Sequence, residues 1–165
     1  MTNRYHTIAA TVAPDKLTQV GPLVAGGWAR PDDDLGREVR GMFLIDTGAY
    51  GAMIDLDVAE LLHLPLRGTK EIHGIHGYGQ LQEYRAQLFL RTQDSEGRAS
   101  AYMTEMDCVG VPALRERNQC HGVDVIGILG RLFLQSVRLE IDGLSGAVSL
   151  TIAVPASGSG KADDV

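Results

Sequence analysis

Apolar residues fall in short runs bounded by glycine, proline and aspartate, a pattern that favours strands and turns over long helices. Residues 5–12 form a β-prone run that ends before Pro14, and residues 17–24 form a second. Gly26-Gly27 and the acidic stretch Pro31-Asp32-Asp33-Asp34 then read as loop. Residues 37–45 begin polar and end in the unbroken apolar run Met42-Phe43-Leu44-Ile45, as expected of a strand entering a core. That run leads directly into Asp46-Thr47-Gly48. Residues 55–62 predict a short helix, with Asp55 or Asp57 available to cap its N-terminus and Pro65 just past its end.

Two β-like segments, residues 68–75 and 80–91, flank a turn punctuated by glycines. The turn signal Asp94-Ser95-Glu96-Gly97 precedes a further strand over residues 98–106. Residues 109–122 keep no clear period and read as a loop insertion, residues 123–128 are apolar again, and residues 130–134 suit one helical turn. Residues 137–141 alternate as a strand, residues 142–146 turn the chain, and residues 147–154 form a last strand. The Gly/Ser-rich residues 155–165 are expected to be a disordered tail. No internal repeat occurs. The expectation is one all-β domain over residues 1–154, with one or two short helices.

Composition narrows the function classes. The chain of 165 residues is long enough for a real core but too short for two barrel lobes. A formal net charge of −6, with arginines scattered rather than striped, argues against a nucleic-acid surface. No apolar stretch approaches the roughly 20 residues a membrane span requires. The N-terminal residues lack the apolar core of a signal peptide, so a cytoplasmic location is expected. Cys108 and Cys120 are too few for a disulfide framework, though they are able to pair.

Three segments carry candidate chemistry. An aspartate directly after a buried apolar strand is costly unless hydrogen-bonded or neutralised, so Asp46 is either a strand-end cap or an acid/base group. Further on, Asp124-Val125-Ile126-Gly127-Ile128-Leu129-Gly130-Arg131 places an apolar pair before a glycine that permits close backbone approach; an ordinary strand-to-helix turn reads the same way. Between them, Gly74-Ile75-His76-Gly77 and Gly79 punctuate two β-like runs as a hairpin tip. A metal site built from His73, His76, Cys108, Cys120 and His121 is a weaker reading. A His-x-x-His pair on a hairpin shares a face poorly, and Cys120 and His121 are adjacent, pointing to opposite sides of a strand. No Gly-x-Ser-x-Gly nucleophile elbow and no Walker-type phosphate loop is present.

Taken in this order, the three segments resemble the retropepsin family, single-domain aspartic proteases related to those of retroviruses, and its cellular or bacterial members more than its viral ones. Leu44-Ile45-Asp46-Thr47-Gly48-Ala49 is similar to the family's catalytic loop, Gly74-Ile75-His76-Gly77 to its flap tip, and Ile128-Leu129-Gly130-Arg131 to the motif before its C-terminal helix. The resemblance implies an acid-protease β-barrel, closed or partly open, acting as an aspartic endopeptidase on polypeptide substrate without cofactor or metal. Because only one Asp-Thr-Gly is present, it implies a homodimer in which two copies of Asp46 face each other. It assigns catalysis to Asp46, Thr47 and Gly48, and substrate contact to Gly48, Ala49, Gly74, Ile75, His76, Gly77 and Leu129. Met53 and Ile54 join Leu129 as candidate apolar subsite walls. Two departures stand out: Tyr50 occupies the place where viral members carry an aspartate paired with the arginine equivalent to Arg131, and His76 replaces a flap glycine. The alternative is a catalytically silent dimer of the same fold that binds peptides.

Overall fold

The computed structural model describes residues 4–31, 36–74 and 77–154. It contains ten strands: β1 (Arg4–Thr11), β2 (Leu23–Ala29), β3 (Glu38–Ile45), β4 (Ala52–Asp55), β5 (Leu66–Gly74), β6 (Gly77–Gln93), β7 (Ala99–Val111), β8 (Val125–Leu129), β9 (Val137–Asp142) and β10 (Ala147–Val154). Four short helices interrupt them: α1 (Pro14–Gln19), α2 (Leu56–Leu61), α3 (Leu114–Gln119) and α4 (Arg131–Leu134).

Six strands close on themselves. The ring runs β2–β3–β8–β4–β7–β6 and returns to β2 through the pairs from Gly26↔Leu90 to Ala29↔Gln87. The result is a closed six-stranded β-barrel, which leaves those strands few exposed edges. The all-β expectation therefore holds. Outside the ring, β5 pairs with the first half of β6 as a hairpin, and β1, β10 and β9 extend the sheet from the far end of β6.

Strand β6 shows why the ring packs. Tyr84, Ala86, Leu88, Leu90 and Thr92 are buried while the residues between them face outward, the period-2 signature of a sheet with one face in a core. Trp28 and Phe43 fill the barrel centre edge-to-face, 5.1 Å between ring centroids, and the Trp28 indole donates to the Ile126 carbonyl at 3.3 Å. Where β2 pairs with β6 the Phe89 ring lies against Gly27, so that a Cβ there would sit 2.2 Å from it, and a Cβ on Gly26 would sit 2.6 Å from the Phe89 carbonyl oxygen. This explains one correction: Gly26 and Gly27 lie inside β2 rather than in a loop.

Other sequence expectations also shift. Residues 14–19 form α1, so the strand expected over residues 17–24 begins only at Leu23; Pro14 sits in the first helical turn, where its missing N–H costs nothing. Residues 109–111 continue β7, and residues 114–119 form α3 rather than an irregular insertion. Four helices replace the expected one or two. Residues 155–165 lie outside the described residues. No helix of the described chain is long and apolar enough to cross a membrane.

Asp55 ties three elements together from a buried position. One carboxylate oxygen accepts from the backbone N–H groups of Asp57 (3.1 Å) and Val58 (3.4 Å), capping α2; the other accepts from Arg115 N–H at 2.8 Å, where α3 starts. Asp55→Ala strands buried donors as well as losing the cap, so it is expected to lower unfolding free energy by about 2–3 kcal/mol. Asp55→Asn should cost visibly less. Urea unfolding of the three proteins checks this, and equal midpoints for Ala and wild type would show that the three bonds add nothing.

Candidate active site

The candidate site grows out of the way three strands are ordered. β8 lies between β3, to which it is parallel, and β4, to which it is antiparallel. Residues 46–51 connect β3 to β4 and so must arch across the end of β8. The chain leaving β8 at Gly130 passes directly beneath that arch.

Both sides of the crossing are held by hydrogen bonds. Asp46 N–H donates to the Leu129 carbonyl at 3.1 Å as the chain leaves β3. Inside the arch, Gly48 N–H donates to Asp46 Oδ1 at 2.7 Å and Ala49 N–H to the Asp46 carbonyl at 3.3 Å, a tight Asx-type turn. From below, four successive carbonyls are met. Arg131 Nη1 donates to Thr47 O (3.0 Å) and Gly48 O (2.8 Å), Arg131 N–H to Ala49 O (2.9 Å), and Leu132 N–H to Tyr50 O (2.9 Å). Gly130 permits the approach: a Cβ there would sit 2.5 Å from Gly51 O and 2.7 Å from Ala49 O. With Tyr50 at the position of the family's aspartate, the loop's own carbonyls take the Nη1 donors of Arg131.

The arch opens onto a groove of about 1090 Å³. Asp46, Gly48, Ala49, Tyr50 and Met53 form one wall; Lys70, Glu71, Ile72 and Glu83 of the β5–β6 hairpin face them, with Met106, Asp107 and Val109 of β7 and Arg131, Leu132 and Gln135 completing the lining. The second oxygen of Asp46 has no hydrogen-bond partner among the described residues. Two of the other three acids of the groove are paired, and the third, Glu71, is exposed on β5. Glu83 accepts from Lys70 Nζ at 2.9 Å, and Asp107 faces Arg85 at 3.3 Å. Lys70 also sits 5.9 Å from the Tyr50 ring, linking hairpin to arch.

Four of the sequence-derived candidates meet here. Asp46, Gly48, Ala49 and Met53 line the groove, and Thr47 is exposed at the tip of the arch. Gly74 and Gly77 pair across the end of the β5–β6 hairpin, while Ile75 and His76 between them lie outside the described residues. Leu129 and Ile54 are corrected: both side chains are fully buried in the barrel core, so neither walls the groove, and Leu129 serves the site through its carbonyl. The Gly48 carbonyl, expected to meet substrate, already accepts from Arg131. Lys70, Glu83 and the β7 residues were not singled out from sequence, since strands with alternating polar and apolar residues give no sign of which outward face borders a cleft.

Among the described residues no group of three or more His, Cys, Asp or Glu is arranged to hold a metal. Cys108 is buried beside Tyr84, and burial, aided by Asp107 and Glu83, pushes its thiol far above the usual range; Cys120 is exposed, and both are free. A second depression of about 590 Å³ lies on the outer barrel face around Arg30, Arg40, Arg91 and Phe89; its carboxylate, Glu38, is paired with Arg40.

Gly130→Ala is expected to destabilise by about 2 kcal/mol or more, because the methyl group meets backbone oxygens that cannot rotate away. Gly143→Ala, in an open turn with nothing within 4 Å, is the matched control and should be near neutral. Equal urea midpoints for the two variants would refute the close crossing. Comparison with protein-family models and with curated proteins finds no match for this chain.

Proposed function

We propose that this protein is a retropepsin-like aspartic endopeptidase of the cytoplasm that becomes active as a homodimer. The observation that carries the reading is the Asp46 carboxylate: held by the arch on one oxygen, without a partner among the described residues on the other, and set in a groove large enough for an extended peptide. Of the other acids that line the groove, Glu83 and Asp107 pair with Lys70 and Arg85, and Glu71 is exposed on the β5 side of the hairpin. A second Asp46 across a two-fold axis supplies the missing acid.

The chemistry then needs no cofactor. The ionised carboxylate of the pair takes a proton from a bound water, which attacks the peptide carbonyl carbon. The protonated carboxylate gives its proton to the carbonyl oxygen, and two like charges this close cannot both ionise, which keeps one proton on the pair. Collapse of the tetrahedral diol sends a proton to the leaving nitrogen and breaks the C–N bond. Thr47, exposed at the tip of the arch, would brace the partner's loop, and the β5–β6 hairpin would cover the bound peptide.

Two features support a dimer through this face. Tyr50 and Leu132 flank the arch as large exposed apolar side chains, at 59% and 43% exposure. The terminal strands, in contrast, are occupied within one chain: β1 pairs with β10 over eight positions, and β10 carries β9 on its other edge. A dimer of this protein therefore rests on the loops around Asp46 rather than on exchange of β10.

Cleavage of a mixed peptide library is expected for wild type between about pH 4 and 7 and absent for Asp46→Asn, which keeps the side-chain shape but removes the proton chemistry. Activity surviving that substitution removes Asp46 from the mechanism. No cleavage by either protein, with both folded and dimeric, assigns the groove to peptide binding instead. Specific activity is also expected to fall on dilution through the dimer dissociation range; a value independent of concentration across that range would exclude a site shared between two chains.

A further inference from the structure

We propose that Arg131 is a specificity-determining residue that recognises a carboxylate side chain of the bound peptide, making peptides with an aspartate or glutamate near the scissile bond the preferred substrates. The inference rests on the peptidase reading for the word substrate, but its physical basis is independent of cleavage. Arg131 is exposed and lines the groove that holds Asp46. Only one guanidinium nitrogen is used: Nη1 donates to Thr47 O and Gly48 O. Nε and Nη2 have no acceptor among the described residues.

An arginine anchored this way differs from an ordinary surface arginine. Its planar fork is already oriented by two backbone bonds, so binding a carboxylate on the Nε/Nη2 edge loses little side-chain freedom. The pairing is bidentate and charge-assisted, the geometry that carboxylates favour. The other charges of the groove do not compete for the role. Lys70 is committed to Glu83, and Asp107 to Arg85, which leaves Arg131 as the groove cation without an acidic partner among the described residues. Glu71, exposed on β5, carries no ion pair among them either, and it disfavours a second acid at the hairpin side. Arg131 thus lies beside Asp46 at the arch, the hairpin contributes Lys70, Glu71 and Glu83, and Met53, Met106 and Val109 lie in the lining as apolar surface.

The experiment compares peptides differing by a single Glu or Gln at each position around one cleaved bond. Wild type is expected to prefer Glu at one position by about tenfold or more in kcat/KM, carried mainly in KM, and to lose that preference at high salt. Arg131→Met should bring the Glu/Gln ratio to near one whatever happens to its overall rate, and Arg131→Lys should restore only part of it. Binding of the same peptides to the Asp46→Asn protein, read by fluorescence anisotropy, gives the ratio without any cleavage. A failure of the peptidase reading therefore leaves the test of Arg131 intact. A Glu/Gln ratio near one at every position in wild type overturns the proposal without needing any variant. So does a preference that persists in Arg131→Met, or an Arg131→Met effect confined to dimer dissociation, which would assign the guanidinium to a carboxylate of the second copy.

Discussion

Everything at the candidate site depends on one crossing, the passage of Gly130 beneath the arch of residues 46–51. Two peptide backbones meet there with no side chain between them, and the carbonyls of residues 47–50 all find donors on residues 131 and 132. A loop of six residues between two strands is normally the mobile part of a fold. Here it is fastened along its length, so the carboxylate it carries is presented by something nearly as rigid as the barrel. That is the usual requirement for a group whose chemistry depends on sub-ångström placement.

The barrel supplies the other half of this rigidity. Ile45 and Leu129, side by side in the parallel register of β3 and β8, are both buried, and Trp28 against Phe43 packs the layer behind them. Replacing that hydrophobic backing would loosen both strands that enter the crossing. The hairpin wall of the groove is attached more lightly. It reaches the arch through Lys70, whose ammonium faces Glu83 on one side and the Tyr50 ring on the other. Its base is fixed to the barrel through β6, so only its contact with the arch depends on one flexible side chain.

Much of this was legible in the residues. The run Met42-Phe43-Leu44-Ile45 announced a buried strand because its apolar stretch is continuous, and Asp46 stood out because a charge at its end demands a reason. Gly130 was marked by the apolar pair before it. What the sequence hid was lateral. Nothing local to residues 125–129 says that they insert between β3 and β4, and so nothing says that Leu129 points inward while only its carbonyl serves Asp46. Helix α1 was missed because residues 17–24 contain as many β-favouring as helix-favouring side chains, and Pro14 was read as an end rather than a beginning. The partners of Arg131 were missed because they are backbone atoms, which leave no mark in a list of side chains.

The insertion of β8 between two strands made long before it also sets an order of events. The bonds from Arg131 to the arch join residues 83 and 84 positions apart, and parallel pairs of such separation close slowly and late. While the chain is being synthesised, Asp46 emerges early but waits for some eighty further residues before its loop acquires a shape. The shape of this early loop is therefore set by a late strand: only once β8 has taken its place between β3 and β4 can Arg131 and Leu132 fasten it.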